Sequence, residues 1–194
     1  MSMLRTFIAI EIPVSIGLRN SWADLKMLLK DDRIRWVNDQ TLHITLFFLG
    51  ATPEEQVGEL KLALTQKISV ATSFPVSIKG MGTFGAAFNP KVIWIGVERC
   101  EPLLALHEAV STVVETFGFQ RDQRGFNPHI TLGRVTKLAN PAALSLFMNR
   151  VECVQFLTHK VTGLAMYQST LTPNGSIYKP LWNIPLLGNK KGAF

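Results

Sequence analysis

The tetrapeptide His-Ile-Thr-Leu occurs twice in this chain, at residues 43–46 and again at residues 129–132. The chain has only four histidines, so the placement of two of them in identical contexts argues against coincidence. Successive side chains of a strand alternate between its faces, so each copy presents its imidazole and its hydroxyl together. The repeat therefore predicts two strands that each offer one histidine and one threonine to a shared cleft.

Two imidazoles and two hydroxyls are the groups that a phosphodiester reaction needs. A base takes a proton from the attacking oxygen, and an acid gives one to the leaving oxygen, in line across phosphorus. Histidine has an unperturbed pKa of about 6.5 and serves in either role near neutral pH. The hydroxyls of Thr45 and Thr131 can donate to the non-bridging oxygens, which hold negative charge in the transition state. The sequence thus predicts His43 and His129 as catalytic residues, with no metal or cofactor.

The other two histidines have no such matching context. His107 falls inside a predicted helix and His159 stands beside Lys160 at a predicted strand start, so both are expected to have packing or surface roles. A metal hydrolase that uses the motif histidines as ligands is a rival interpretation. Metal sites usually take three or four ligands, and neither motif contains an Asp or Glu that would complete such a set.

Composition and charge restrict the class of protein further. Of 194 residues, 47% are hydrophobic and 18% are charged, which is typical of a globular chain. The apolar run at residues 7–10 is broken by Glu11 and Pro13, so it is too short for a signal peptide or a membrane span. We expect a soluble, cytoplasmic protein. Its net charge of +6 favours polyanionic partners.

Residue patterns along the chain predict an α+β fold with mostly antiparallel strands. Strand signals occur at residues 5–12, 42–49, 74–78, 92–97, 128–135, 161–167 and 177–184. Helical periodicity occurs at residues 18–29, 57–68 and 103–117, and Asn140-Pro141 opens a short fourth helix. Thr52-Pro53-Glu54-Glu55 predicts the N-terminal cap of the second helix. Pro173-Asn174-Gly175 predicts the turn of a final hairpin.

The residues around both motifs resemble a known family. These are Arg35-Trp36-Val37, Gly82-Thr83-Phe84-Gly85, Arg124-Gly125-Phe126-Asn127-Pro128 before the second motif and Gly133-Arg134 after it, followed by Ser169-x-Leu171 and Gly175-x-x-Tyr178. They resemble the two-histidine phosphoesterase superfamily. The similarity is closest to its bacterial and archaeal RNA 2′,3′-cyclic phosphodiesterases, also called 2′-5′ RNA ligases. It extends from Arg5 to the final hairpin.

The resemblance implies both a fold and a reaction. The expected fold is a single domain over residues 1–194 with two intertwined lobes, pseudo-symmetric sheets, outer helices and an active site in the cleft between the lobes. The expected reaction converts an RNA 2′,3′-cyclic phosphate end to a 2′-phosphate without a metal, and some members also join RNA ends through a 2′-5′ linkage. The family's usual assignment makes His43 the proton donor and His129 the proton acceptor. The implied partner is RNA or a nucleoside cyclic phosphate, bound by a monomer without a membrane.

Two arginines near the second motif are candidates for substrate phosphate contact. Arg134 lies an odd number of residues after His129, so a regular strand would place it on the opposite face. Gly133 could permit a β-bulge that returns Arg134 to the cleft. Arg124 belongs to the loop before the motif, where a guanidinium can reach substrate.

Aromatic residues near the motifs could stack on a nucleobase, since such stacking tolerates any base. Phe126 is the favoured candidate because it lies in the loop just before the second motif. Phe84 is a further candidate, and Trp94 is expected to belong to the core. Tyr178 fits the family pattern without a definite role.

Two functional alternatives stay open at the level of sequence. The motifs specify phosphorus chemistry and not the base or chain length, so the substrate could be 2′-5′ oligoadenylate, ADP-ribose cyclic phosphate or another small diester. A non-catalytic RNA-binding module could keep the cleft, although binding alone needs no paired acid and base.

Overall fold

The computed structural model describes residues 2–86, 88–172 and 175–188. Within these ranges the chain forms nine strands and four α-helices. In chain order they are β1 (Met3–Glu11), α1 (Ile16–Leu28), β2 (Arg33–Trp36), β3 (His43–Pro53), α2 (Gln56–Lys67), β4 (Phe74–Ala86), β5 (Asn89–Val97), α3 (Glu101–Thr116), β6 (His129–Lys137), α4 (Pro141–Val151), β7 (Gln155–Val161), β8 (Gly163–Thr172) and β9 (Gly175–Pro185).

The strands form one curled antiparallel sheet in the order β7-β4-β5-β6-β3-β1-β8-β9, with β2 added beside β6. The α+β class is therefore confirmed. The two predicted sheets are halves of this single sheet, and β3 and β6 join them through one residue pair, Ile44 and Ile130. The two motif strands thus lie at the centre of the fold.

The helices cover one face of the sheet and bury its apolar side chains. Helices α2 and α3 contact each other and β3, whereas α1 contacts α4 and β7. Helix α1 buries Leu18, Trp22 and Leu25, which is the stripe that its periodicity predicts. With one face covered in this way, the concave face is left for a ligand. No helix in the described ranges is both long and apolar enough to cross a membrane.

The predicted cap of the second helix is wrong. Strand β3 continues to Pro53, and α2 begins at Gln56 without a side-chain cap. Thr52 is buried opposite Leu4 of β1, and its hydroxyl lies 2.7 Å from that of Thr6. Sheet pairing and this buried hydrogen bond override the local capping pattern.

Other local signals are confirmed, and two strands were not predicted. Asn140 caps α4 by accepting from the Ala143 amide at 3.0 Å. Strands β8 and β9 pair as the predicted hairpin, while Pro173 and Asn174 of its turn lie outside the described residues. Strand β2 has only four residues, too few to establish a period, and the sequence of β7 carries no clear alternation.

Candidate active site

Strands β3 and β6 bring the two motifs onto one surface. The antiparallel pairing of Ile44 with Ile130 places His43 opposite the second motif's threonine and His129 opposite the first motif's threonine. Cβ atoms of directly opposite residues lie about 4.5–5.5 Å apart. All four polar side chains are half-buried on the concave face, while the motif Ile and Leu side chains are buried in the core. The predicted alternation is confirmed.

The same β-bulge follows each motif. Leu46 is unpaired where β3 meets β1, and Leu132 is unpaired where β6 meets β5. Each bulge shifts the alternation by one residue, so Phe48 and Arg134 return to the face of the histidines. The bulge predicted near Gly133 is therefore confirmed. A Cβ on Gly133 would lie 2.8 Å from the Trp36 ring, which explains the glycine.

Each histidine is held by a matching backbone hydrogen bond. Nδ1 of His43 lies 2.7 Å from the carbonyl oxygen of Thr41, and Nδ1 of His129 lies 2.8 Å from that of Asn127. A carbonyl only accepts, so Nδ1 carries the hydrogen in both rings. Nε2 is consequently the nitrogen that each imidazole has available for exchanging a proton with a ligand.

Burial and nearby positive charge affect both imidazoles. Burial lowers the pKa of His43, the hydrogen bond to Thr41 opposes this, and the charge on His129 lowers the pKa further. Burial likewise lowers the pKa of His129, opposed by its hydrogen bond to Asn127, and the guanidinium of Arg134 lowers that pKa further. The two imidazoles and Arg134 therefore share one electrostatic environment. Both rings are biased toward the neutral form until an anion binds.

Aromatic rings pack against each imidazole. The ring of Phe7 lies 4.9 Å from that of His43, and Tyr178 lies perpendicular to His43 at 5.3 Å. Phe84 lies edge-on to His129 at 4.7 Å. Tyr178, which had no definite role in the sequence, thus contacts a motif histidine. The sequence does not indicate the contact of Phe7 with His43, because an aromatic residue in a strand usually belongs to the core.

A pair of arginines marks one end of the concave face. Arg35 of β2 lies directly across from Arg134 of β6, and both are exposed. Like charges in directly opposite positions destabilise a sheet. Within the described chain, no carboxylate forms an ion pair with either guanidinium. The pair therefore favours an anionic ligand at this end.

The structure places the remaining predicted side chains less centrally. Arg124 is 89% exposed and pairs with Asp122 at 2.6 Å, so its contact with substrate stays a prediction. Phe126 is half-buried with its ring stacked at 3.9 Å on that of His107, and it lines a groove that reaches His129.

Trp94 and His159 are two further positions considered in the sequence. The expectation that Trp94 belongs to the core is wrong, because Trp94 is half-buried on β5 directly across from Thr131. Its ring contacts Gly82 and Phe84. His159 is half-buried on β7. Among the described residues, no three His, Cys, Asp or Glu side chains are clustered so that they could hold a metal ion.

A family model for the 2′-5′ RNA ligase superfamily matches residues 13–170. This chain belongs to that superfamily. It is 32% identical over 187 residues to the RNA 2′,3′-cyclic phosphodiesterase of Thermotoga maritima, covering 95% of this chain and 97% of the relative. It is 35% identical over 185 residues to the Archaeoglobus fulgidus protein of the same name, covering 92% and 98%. The resemblance inferred from the motifs is confirmed.

Two solved structures show the same fold. A Thermus thermophilus crystal structure superposes with a TM-score of 0.77 at 29% identity, covering 96% of this chain and all of that one. E. coli LigT superposes with a TM-score of 0.71 at 23% identity, covering 96% and 99%. The second similarity concerns the fold alone.

The lowered histidine pKa values have a consequence for the stability of this superfamily member. Because burial lowers both pKa values below the unfolded value of about 6.5, the unfolded state binds more protons as the pH falls. The free energy of unfolding should therefore decrease as the pH falls through about 6.5 to the folded pKa values. Urea denaturation from pH 8 to 5 should show the wild type losing stability relative to a His43→Gln/His129→Gln variant. A difference that does not change with pH would contradict this.

Proposed function

We propose that this protein hydrolyses RNA 2′,3′-cyclic phosphate ends to 2′-phosphates by metal-independent acid–base catalysis. The observation that carries the proposal is the facing pair of imidazoles, each with Nδ1 fixed by a carbonyl and each opposite a threonine. The Thermotoga and Archaeoglobus relatives, named RNA 2′,3′-cyclic phosphodiesterases, support the choice of substrate.

The proposed reaction is an in-line displacement at phosphorus. Nε2 of His129 takes a proton from water, whose oxygen forms the new P–O bond. The bond from phosphorus to the 3′-oxygen breaks, and protonated His43 gives its proton to that oxygen. The product carries a 2′-phosphate and a 3′-hydroxyl. An alcohol in place of water would give a 2′-5′ linkage by the same steps, which is the ligation expected of some members.

Four polar groups would hold the phosphate during the reaction. The hydroxyls of Thr45 and Thr131 are half-exposed on the concave face and can donate to the two non-bridging oxygens. Arg134, whose charge acts on His129, would attract the anion together with Arg35. An anion held here would raise both histidine pKa values, because it favours the imidazolium form.

The environments of the two histidines support different roles. His43 is enclosed by two aromatic rings and does not line the open groove, so a nucleophile has no such approach to it. His129 borders an open groove from which water or an alcohol can approach. We therefore assign His43 as the acid and His129 as the base.

This division of roles leads to a specific pH dependence. The reaction needs one protonated and one neutral imidazole, so kcat/KM should rise and then fall with pH. Because burial lowers both pKa values in the free protein, both limbs should lie below the ordinary histidine value of about 6.5. The kcat profile should lie at higher pH, since the bound anion raises the same pKa values. Initial rates from pH 4 to 9 test this, and a profile with a single limb would contradict it.

Turnover in the presence of a chelator tests the proposed function against its rivals. Purified protein with cytidine 2′,3′-cyclic phosphate, or with an RNA that ends in one, should react equally well with and without EDTA. Activity that disappears with EDTA and returns with zinc or manganese would support a metal hydrolase. Binding of RNA without turnover would support a non-catalytic module. Faster turnover of 2′-5′ oligoadenylate or ADP-ribose cyclic phosphate would identify a different diester as substrate.

A further inference from the structure

A groove of about 870 Å³ lies beside two of the four motif side chains, Thr45 and His129. We call it the α3 groove, and its walls are Thr45 and Phe48 of β3, the exposed side of α3 near Ala105, Phe126 in the loop before β6, and His129. Neither His43 nor Thr131 lines it. The groove is thus adjacent to one imidazole and one hydroxyl of the motifs and not to the other two.

The groove arises from a difference between the two otherwise matching halves. Beyond the second motif, β2 pairs with β6 and fills the space beside it. The segment before the second motif, residues 119–128, forms no strand. The edge of β3 that faces away from β1 is therefore unpaired around Phe48. Phe48 and Arg134 occupy equivalent bulge positions, so the Phe48 ring, with the Arg5 guanidinium 4.8 Å from its centroid, takes at one end the place that the Arg134 guanidinium takes at the other.

The α3 groove is larger than a water molecule requires, and aromatic side chains line it. A water molecule occupies about 30 Å³, whereas pockets for small organic ligands measure about 300–1,000 Å³. Phe48 is 50% exposed, with the Arg5 guanidinium 4.8 Å from the centroid of its ring, and the stacked rings of Phe126 and His107 also line the groove. Exposed aromatic side chains of this kind are platforms for flat heterocycles.

The charges of the groove differ from those at the arginine end. Glu101, Glu108 and Asp122 line the α3 groove. Arg121 also lines it, but its guanidinium is bonded to Glu108 at 2.9 Å and to Glu115 at 2.6 Å. The lining of the groove therefore favours an uncharged occupant over a phosphate, whereas Arg35 and Arg134 favour the phosphate-bearing chain at the other end.

We propose that the α3 groove binds the nucleoside whose 5′-hydroxyl replaces water as the nucleophile, with its base between Phe48 and the Phe126–His107 stack. The inference rests on the proposed function, because it places this hydroxyl beside His129. The 5′-oxygen gives its proton to His129 and forms a bond to phosphorus. The bond from phosphorus to the 3′-oxygen breaks as His43 protonates that oxygen. The product is a 2′-5′ diester, and no further reactant is needed.

Competition between adenosine and methanol as acceptors tests the groove. The protein is incubated with cytidine 2′,3′-cyclic phosphate and either alcohol, and the ratio of transfer product to 2′-phosphate is measured per mole of alcohol. Methanol needs no groove, so adenosine should be favoured by about tenfold or more, as base stacking allows. Phe48→Ala, which removes a platform, should abolish most of this preference. Ala105→Trp, which fills the groove from an exposed helix position, should do the same.

Phe88→Ala is the matched control, because Phe88 is 88% exposed and does not line the groove. It should keep the preference for adenosine. A wild type that transfers to adenosine no better than to methanol would overturn the groove assignment while hydrolysis continues. A preference that survives both groove variants would overturn it as well. Absence of any reaction with the cyclic phosphate would instead refute the proposed function and the groove assignment with it.

Discussion

Replacing either His43 or His129 with alanine is expected to lower kcat/KM by about 10²–10⁴-fold, because each would remove a proton transfer from the transition state. The double variant should lose less than the product of the single losses, since the pair acts as one unit. His159→Ala is a matched control, because His159 is also half-buried but lies on β7 outside the motifs. It should retain activity.

A substrate with a good leaving group separates the roles of the two histidines. A nitrophenyl phosphodiester needs little protonation of its leaving oxygen, so the acid becomes nearly dispensable while the base does not. His43→Ala should recover most of its activity on this substrate, and His129→Ala should stay impaired. Recovery of His129→Ala alone would reverse the assignment. Recovery of neither variant would mean that the histidines bind phosphate without moving protons.

The second large effect is expected at the motif threonines. Valine at Thr45 or Thr131 keeps the shape of the side chain but removes the hydroxyl, and loss of one oxyanion donor typically costs about 10²-fold or more in kcat. Serine at either position should retain most of the activity because it keeps the donor. Thr136→Val, at an exposed position further along β6, is the matched control. Unchanged kinetics in both valine variants would contradict the role of these hydroxyls.

The sequence predicts the centre of the site well, because the arrangement of the motif side chains depends on residues that are close together in the chain. Alternation along a strand is enough to place each motif's histidine beside its threonine, and the repeat is enough to relate the two copies. Both features occur as predicted on β3 and β6. The N-terminal cap of α4 at Asn140 was likewise predictable, since a cap depends on neighbours a few residues away.

Features that depend on distant partners could not be predicted. The strand character of Thr52 depends on Thr6, which is 46 residues away. The contact of Tyr178 with His43 joins the last hairpin to the first motif, and no spacing in the sequence indicates it. The pairing of Arg35 with Arg134 requires β2, which is too short to show a period.

The asymmetry around the two identical motifs also depends on tertiary structure. The residues after each motif, Phe47-Phe48 and Gly133-Arg134, differ in charge and size, and the bulges turn Phe48 and Arg134 into the cleft. An end with two arginines and an end with an aromatic ring, on which Arg5 lies at 4.8 Å, therefore flank a nearly symmetric pair of imidazoles. This difference supports assigning one histidine to the leaving oxygen and the other to the nucleophile.

The identity of the phosphate product is a direct test of the proposed acid–base reaction. The wild-type protein is incubated with a nucleoside 2′,3′-cyclic phosphate in EDTA and ¹⁸O-labelled water, and the product is analysed by ³¹P NMR. We predict the 2′-phosphate with one ¹⁸O on phosphorus, because water attacks beside His129 while the 3′-oxygen leaves beside His43. A 3′-phosphate product, or no turnover under these conditions, would contradict it.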